Sequence, residues 1–558
     1  MKTGMPFRRY RPFAAVNLPD RTWPDRVVTH APRWCSVDLR DGNQALAEPM
    51  GAEEKRAMFD LLVKIGFKEI EVGFPAASKI EFDFIRSLIE NRAVPDDVTI
   101  QVLTQAREDL IRKTFDAVRG AKRVIVHLYV STSKTQREVV LRRDRDGIVD
   151  LATRYVGLVR ELAEAQPETQ WILEFCPESF TQTEPDFAAD ACEAAIKAWR
   201  AGGVLRPVIV NLPATVEVCT PNAYADMVEW MIRRLSVTES VTVSVHPHND
   251  RGTGIAAAEQ ACLAGAHRVE GTLFGNGERT GNVDLVTLAL NLMSQGVDAG
   301  LDFSDLPGVV RTYERCTGMA VPRRQPYAGE LAYTAFSGSH QDAIDKGLRH
   351  QEHRTDGIWD VPYLPIDPRD IGREVRFVRI NSQSGKGGIA HVLRRVRDIE
   401  PPRGLITDFS AVVQRYSESV GREVSEDEVG ALFDREYLDR VSPVRLLTYR
   451  SLISEDNKIL VMKIKVKGKR DIVVGSGNGP IDAFMHAINR GRKEVFAVAS
   501  YEECSMGTGS DSKAVAYVAV QVSGHDHVWG VGIDTDATYA AFLATLSAVN
   551  RHLKRRSD

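Results

Sequence analysis

The sequence predicts an α/β fold: a (β/α)8 TIM barrel, followed by a connecting subdomain and a duplicated α+β domain at the C-terminal end. Three observations predict it. Short β-rich runs alternate with helical stretches from residue 34 to about 296, eight times over. Polar and charged residues of that region gather where the runs end. Near residue 440 a different alternation begins, strands then helix, twice.

The eight runs are WCSVDL (34–39), EIEVGFP (69–75), TIQVLTQ (99–105), RVIVHLYV (123–130), QWILEF (170–175), RPVIVNL (206–212), VTVSVHPH (241–248) and RVEGTLFG (268–275). Between them, segments such as EEKRAMFDLLVKIG and NAYADMVEWMIRRL space apolar residues by three and four, the period of a helix with one buried face. Eight such repeats match the size of a closed barrel. A doubly wound open sheet is the alternative, and the charge-bearing strand ends favour the barrel. In TIM barrels the chemistry sits at those ends.

Residues 1–30, opening MKTGMPFRRYRPF, read as an N-terminal arm packed on the body, because they lack an apolar core and a small-residue cleavage site. Residues 31–300 hold the barrel. From 301 to 435, loops rich in Gly, Pro and charge, with helical pieces such as SHQDAIDKGLRHQ, read as a connecting subdomain. From 436 to 558, KILVMKIKVKG and DIVVGSG precede the helix GPIDAFMHAINRG. AVAYVAVQVSG and HVWGVGIDTD then precede DATYAAFLATLSAVNRHLK, an internal duplication without a catalytic constellation.

At 558 residues, 43% hydrophobic and 27% charged, the chain has ample material for several globular domains. A net charge of −4 offers no overall field for nucleic acid or an anionic membrane. No apolar run approaches the roughly 20 residues that span a bilayer. The seven cysteines are scattered and never spaced C-x-x-C, which argues against a disulfide framework or zinc ribbon and points to a reducing cytoplasm.

Four constellations carry chemistry. Asp38-Leu39-Arg40-Asp41-Gly42-Asn43-Gln44 closes the first strand; Asp41 is a hard oxygen ligand there, and Arg40 suits an anionic or developing oxyanion group. A strand-end salt-bridge cluster is the bland reading. His246-Pro247-His248 ends the seventh strand. Residues two apart on a strand share a side, so both imidazoles can chelate one cation with Asp41. Two imidazoles and a carboxylate leave coordination positions open, as a catalytic metal requires.

The third constellation is Gly275-Asn276-Gly277-Glu278-Arg279-Thr280-Gly281-Asn282, after the last strand. It breaks the dinucleotide pattern, and its place in the barrel suits Gly275, Asn276, Gly277 and Arg279 to a phosphorylated cofactor such as CoA. Ser384-Gly385-Lys386-Gly387-Gly388 lacks the earlier glycine and the following Ser/Thr of a P-loop, which discounts ATP. In the fourth, Glu178 falls just past the fifth strand, where a general acid or base is needed. Glu174 lies deeper, and Cys176 reads as a small wall residue.

Together these residues resemble the metal-dependent aldolase and lyase superfamily, and within it the longer, two-part class of 2-isopropylmalate synthases. The resemblance spans nearly the whole chain: VNLPDRTWP, LRDGNQAL, EVGFPAAS, FGNGERTGN, SGSHQDAI, VPYLPIDPRDIGR and NSQSGKGG. It implies a divalent metal, Mg2+ foremost with Mn2+ or Zn2+ as alternatives, held by Asp41, His246, His248 and Asn282, and K+ as a candidate activator. It implies oxyanion stabilisation by Arg40, acid/base roles for Glu178 and His340, and 2-oxo acid contacts at His127, Tyr129, Asn211 and Thr215. His340 would act in the partner subunit of a homodimer. Cys176 stands where some relatives carry serine, which bears on chain-length preference.

The implied reaction joins acetyl-CoA to 3-methyl-2-oxobutanoate and hydrolyses the thioester, with leucine as feedback inhibitor. Gly477, Asn478 and Gly479, in the turn before a helix, offer free backbone N–H groups for an amino acid's carboxylate. A purely structural dimerisation domain is the bland reading. Homocitrate or citramalate synthesis and a CoA-ester lyase are the enzymatic alternatives. A regulatory protein with an inactive barrel is the non-enzymatic one.

Overall fold

Alternate residues of each β-run differ in polarity, and the structure turns that alternation into a barrel with an apolar outside and a polar inside. This computed structural model describes residues 9, 13–235, 240–374, 380, 385–453, 458–507, 509, 511–522 and 527–555. Most of the arm's first twelve residues, Ser384 of the SGKGG segment, and Thr508 and Ser510 of the glycine-rich stretch SMGTGS (505–510) lie outside the described residues. Two compact units divide the chain: Met1–Ala332 with Ile366–Glu374, and Tyr333–Pro365 with Val375–Asp558.

In the first unit all eight expected runs are strands: β1 (Arg33–Ser36), β2 (Glu69–Gly73), β3 (Thr99–Gln105), β4 (Arg123–Ser131), β5 (Gln170–Glu178), β6 (Val208–Ala214), β7 (Val241–Pro247) and β8 (Arg268–Gly271). They close in sequence order, with Cys35 opposite Glu69 on one side and Glu270 on the other. Successive strand side chains point to opposite faces. Thus Ile100, Val102, Val124, Val126, Leu173, Val208 and Val210 are buried in the apolar layer, while the alternate positions Gln101, His127, Glu174, Asn211, His246 and Glu270 share the lumen.

The covering helices are α1 (Ala52–Ile65), α2 (Lys79–Glu90), α3 (Glu108–Val118), α4 (Arg145–Glu164), α5 (Pro185–Trp199), α6 (Pro221–Arg234), α7 (Gly254–Leu263) and α8 (Leu285–Ser294), with α9 (Leu306–Thr317) packed on α1. Their ends are written locally. Ser78 caps α2 by accepting from Glu81 N (3.2 Å), and Asp144 caps α4 from Gly147 N (2.9 Å). Proline opens α5 and α6, and Gly66 at φ +114° ends α1. The arm is pinned to α6: Arg21 and Trp23 donate to Asp226, while Thr22 and Trp23 donate to Glu229.

Three strand ends differ from expectation by three residues or more, among them β8, which stops at Gly271 with Leu273–Gly275 in a 3-10 turn. β1 stops at Ser36, and Asp38–Gly42 forms a π-helical turn. The buried Asp38 carboxylate holds that turn by accepting from Ser36 Oγ (2.8 Å) and Leu273 N (3.0 Å). β5 instead runs three residues further than its apolar stretch, so Glu178 is its last residue rather than past it, in register with Ser131.

The second unit holds α10 (Gly338–Glu352), α11 (Lys386–Arg397), α12 (Arg403–Val420) and α13 (Glu426–Phe433). Gly338 and Gly385, opening α10 and α11, approach so closely that a Cβ on either would meet the other's Cα at under 3 Å. That contact accounts for two of the glycines in SGS and SGKGG. The duplication follows as β9 (Val444–Ile453), β10 (Lys458–Val466), β11 (Lys469–Gly477) and α14 (Pro480–Asn489), then β12 (Phe496–Met506), β13 (Lys513–Val522), β14 (Val528–Asp534) and α15 (Ala537–Arg555). Each sheet has three strands, β11-β10-β9 and β12-β13-β14. Sequence reading found two per repeat. The missed ones, VRLLTYRSLI and FAVASYEECSM, are edge strands interrupted by charged and hydroxyl residues.

All seven cysteines are unpaired, and among the described residues no helix is long and apolar enough to cross a membrane.

Candidate active site

A cavity of about 860 Å³ opens where the barrel strands end, lined by Arg40, Asp41, His127, Tyr129, Cys176, Glu178, Asn211, Thr215, His246, His248 and Arg279 among others. The π-helical turn after β1 delivers Arg40 and Asp41. Arg40 Nε donates to Glu71 Oε2 on β2, and its Nη1 lies 3.6 Å from Asp41 Oδ1. His246 Nε2 lies 3.1 Å from Asp41 Oδ2 and 2.7 Å from Asn282 Oδ1. His248 Nε2 is 3.7 Å from Asp41 Oδ2, and the two imidazole centroids are 5.2 Å apart.

The side chains of Asp41, His246 and His248 are buried and can each offer one ligand atom within 4.8 Å of the others. Burial opposes the Asp41 charge, yet the Arg40 guanidinium and then His246 hold its carboxyl well below the usual range. Burial likewise opposes a proton on His246, while hydrogen bonds to Asp41 and Glu270 push it up to about 10. Burial and then the charge of His246 push His248 down to about 4. An ionised carboxylate, two imidazoles and a carboxamide oxygen in one buried spot fit a divalent cation, which would supply the positive charge that a proton on His246 otherwise brings.

Beneath these residues lies a layer of which sequence reading named only His127 and Glu174. Glu270 Oε2 pairs with His246 Nδ1 at 2.7 Å, the carboxylate–histidine arrangement that aims the other ring nitrogen at a cation. Glu71 Oε1 pairs with His127 Nδ1 at 2.8 Å. Arg268 donates to Glu270 Oε1 (2.7 Å), Ser244 Oγ (2.9 Å) and Gln101 Oε1 (2.6 Å). The signal was present as charges inside EIEVG and RVEG, where a barrel strand is otherwise apolar. His127, Glu174 and Glu270 form a second cluster of ligand type. The Arg268 guanidinium, within 3.2 Å of both carboxylates, already supplies its cation.

At the rim, Ser131 Oγ donates to Glu178 Oε2, and Gln105 Nε2 donates to the Tyr129 hydroxyl at 2.6 Å. Thr215 Oγ1 accepts from Ser179 N at 2.9 Å. The glycine-rich loop folds on itself. A Cβ on Gly277 (φ +153°) would lie 2.1 Å from Asn282 Nδ2, and one on Gly281 (φ +95°) 1.9 Å from Gly275 O. Asn276 O accepts from Asn282 Nδ2 (2.9 Å), and Asn276 Nδ2 donates to Gly42 O (2.9 Å). The loop's glycines therefore serve the packing that fixes Asn282, while Glu278 and Arg279 face the cavity. Arg279 is braced by Asp250 Oδ1 at 2.7 Å and by Thr215 O.

The chain is 50% identical over 98% of its length to a 2-isopropylmalate synthase of Corynebacterium efficiens, of which 98% is covered. It is 52% identical to that of Parvibaculum lavamentivorans (99% of this chain, 97% of the relative) and 50% to that of Ralstonia nicotianae (99% and 96%). The chain belongs to the 2-isopropylmalate synthase family.

Three family profiles cover this synthase-family chain: HMGL-like over residues 31–312, "Alpha-isopropylmalate synthase, post-catalytic domain-like" over 330–394, and "LeuA allosteric (dimerisation) domain" over 423–553. Every cavity residue named above falls in the first. His340 falls in the second, on α10, its ring stacked on Tyr363 with centroids 4.1 Å apart. Gly477, Asn478 and Gly479 fall in the third, where β11 meets α14; Asn478 N already donates to Asp482 Oδ2 at 3.0 Å.

Proposed function

We infer that this chain condenses acetyl-CoA with 3-methyl-2-oxobutanoate and hydrolyses the resulting thioester, giving 2-isopropylmalate and free CoA. The observation that carries the reading is the convergence of Asp41, His246, His248 and Asn282 beside Arg40 at the barrel mouth, in a chain half identical to synthases of that name. These four residues would hold Mg2+, or Mn2+ or Zn2+ in its place. When bound, such an ion polarises a carbonyl oxygen and offsets the charge developing on it.

The chain's own groups do the rest. His127, Tyr129, Asn211 and Thr215 wall the 2-oxo acid. Arg40, kept in place by Glu71, presents its guanidinium to the oxygen that becomes negative. Glu178 takes a proton from the acetyl methyl group, the carbanion carbon bonds to the 2-oxo carbon, and the oxygen there takes up a proton. Water then replaces CoA at the thioester. His340 is the competing acid/base group, acting in a homodimer on the partner subunit's site. Gly275, Asn276, Gly277 and Arg279 flank the CoA end, with K+ a candidate activator.

Residues 1–30 serve as the arm, 31–300 as the catalytic barrel, 301–435 as the connection and 436–558 as the regulatory domain, which binds leucine at Gly477–Gly479. The expected setting is the cytoplasm. The test is thiol release from acetyl-CoA against a panel of 2-oxo acids. 3-Methyl-2-oxobutanoate should give the highest kcat/KM, with pyruvate poorer by about 1–3 kcal/mol in an apolar pocket. Pyruvate or 2-oxoglutarate as the best substrate would make it a citramalate or homocitrate synthase.

A further inference from the structure

Glu174 is fully buried on β5, in the lumen beneath the cavity. Its Oε1 accepts from Asn211 Nδ2 at 2.9 Å and faces His127 Nε2 at 3.4 Å, and its Oε2 lies 3.2 Å from Arg268 Nη1. The same Asn211 Nδ2 donates to Glu270 Oε2 at 2.8 Å, so both amide hydrogens go to carboxyl groups. Turned the other way, Asn211 would set its oxygen against two acceptors. In the observed orientation Asn211 Oδ1 is buried without a hydrogen-bond partner, while the His127 ring is anchored through Nδ1 on Glu71 and turns Nε2 toward Glu174 Oε1. Both residues line the cavity.

We propose that Glu174 is a positioning residue of this active site, holding Asn211 through its Nδ2 and lying against the His127 ring so that Asn211 Oδ1 stays free of protein partners for the 2-oxo acid or the water that attacks the thioester. The proposal rests on the synthase reading. It goes beyond it by giving a role to a carboxyl group that does not touch the cavity.

The surroundings favour the neutral acid. Glu71 on β2 and Glu270 on β8 already bring two carboxylates to this layer, and Arg268 on β8 also serves Glu69 and Glu270. His127 on β4 and Cys176 on β5 complete the titratable groups around it. Burial first, and then the Glu270 charge, push Glu174 up to about 8. Glutamine reproduces the size and neutrality of that acid.

The experiment compares full-length, metal-loaded wild type with Glu174→Ala and Glu174→Gln across pH. Glu174→Ala should raise the KM for the 2-oxo acid about tenfold, the loss of one oriented hydrogen bond, with kcat changed less. Glu174→Gln should restore KM to within about twofold at neutral pH, and should lack the alkaline decline expected of wild type near pH 8. Unchanged KM in Glu174→Ala, a Glu174→Gln as defective as the alanine variant, or an identical alkaline limb overturns the proposal. Infrared difference spectra of wild type and Glu174→Gln, which need no turnover, supply the second readout. A protonated-carboxyl band at neutral pH, lost in the glutamine variant, supports the proposal, and its absence from wild type overturns it. Wild type that turns over no 2-oxo acid refutes the synthase reading instead, and the infrared band still decides the state of Glu174.

Discussion

His246 is held at both ring nitrogens: Nδ1 by Glu270, and Nε2 toward Asp41 and Asn282. A side chain fixed this way loses little orientation on taking a cation, whereas the His248 ring makes one hydrogen bond, between Nδ1 and Gly281 O at 3.2 Å. Two outcomes follow from that difference. His248→Ala should abolish turnover and divalent-cation binding while circular dichroism and Tm report an intact barrel. Wild type that keeps its rate after exhaustive chelation would contradict the metal reading. Glu270→Gln should leave all four ligands in place yet weaken cation affinity by about 10–100-fold, the usual effect of losing such a partner. Calorimetric titration with Mg2+ or Mn2+ measures it, and unchanged affinity would mean that the barrel wall alone orients His246.

At the scale of elements, the arm shows how one buried carboxylate fastens a segment of low regularity. Glu229 on α6 accepts from Thr22 N, Thr22 Oγ1 and Trp23 N, and pairs with Arg233. Burial works against its charge, but the bonds from Thr22 and Arg233 hold it down to about 2. A carboxyl depressed below its unfolded value of about 4.3 stabilises the fold fully above that pH and loses its contribution as pH falls through the folded value. Wild type should therefore exceed Glu229→Gln in stability by about 2 kcal/mol at pH 7. The gap should narrow below about pH 4 and close toward pH 2. Denaturant unfolding of both proteins across that window reads it, and a gap independent of pH would assign the effect to shape rather than charge.

Across the whole molecule, the second unit is one folded body in which distant segments depend on each other. Arg551 on α15 donates to Asp408 on α12 at 2.7 Å, Asp408 also accepts from the Tyr437 hydroxyl at 2.8 Å, and Gly404 packs on Trp529. A cut near residue 430 would run through this body, so leucine control is better tested by substitution. Gly479 is extended (φ −151°), and a Cβ there meets open space. Gly479→Val is thus tolerated by the backbone but fills the turn where a carboxylate would dock. Full-length wild type should be inhibited by millimolar leucine, and Gly479→Val should need about tenfold more, a coupling loss of ordinary size. Equal inhibition of both proteins would move the leucine site elsewhere in the chain.

The eight barrel strands, the helical segments between them, and the pairing of Asp41 with His246 and His248 were all legible in the chain, because each rests on local periodicity or on residues close to a strand end. The C-terminal duplication was legible too, through its repeated strands and helices. The edge strands β9 and β12 were not, since charged and hydroxyl residues interrupt their apolar pattern and only pairing with a neighbour defines them. Nor was the layer of Glu71, Arg268 and Glu270 around Glu174, the one among them that sequence reading places deeper in the barrel. Glu71 shares β2 with Glu69, Glu174 shares β5 with Glu178 and Arg268 shares β8 with Glu270, and their partners lie on strands up to about 200 residues away in sequence. Barrel closure alone turns those charges to one another. The glycine-rich loop shows the same division: its composition announced a tight approach, but only the folded chain shows that what approaches is Asn282.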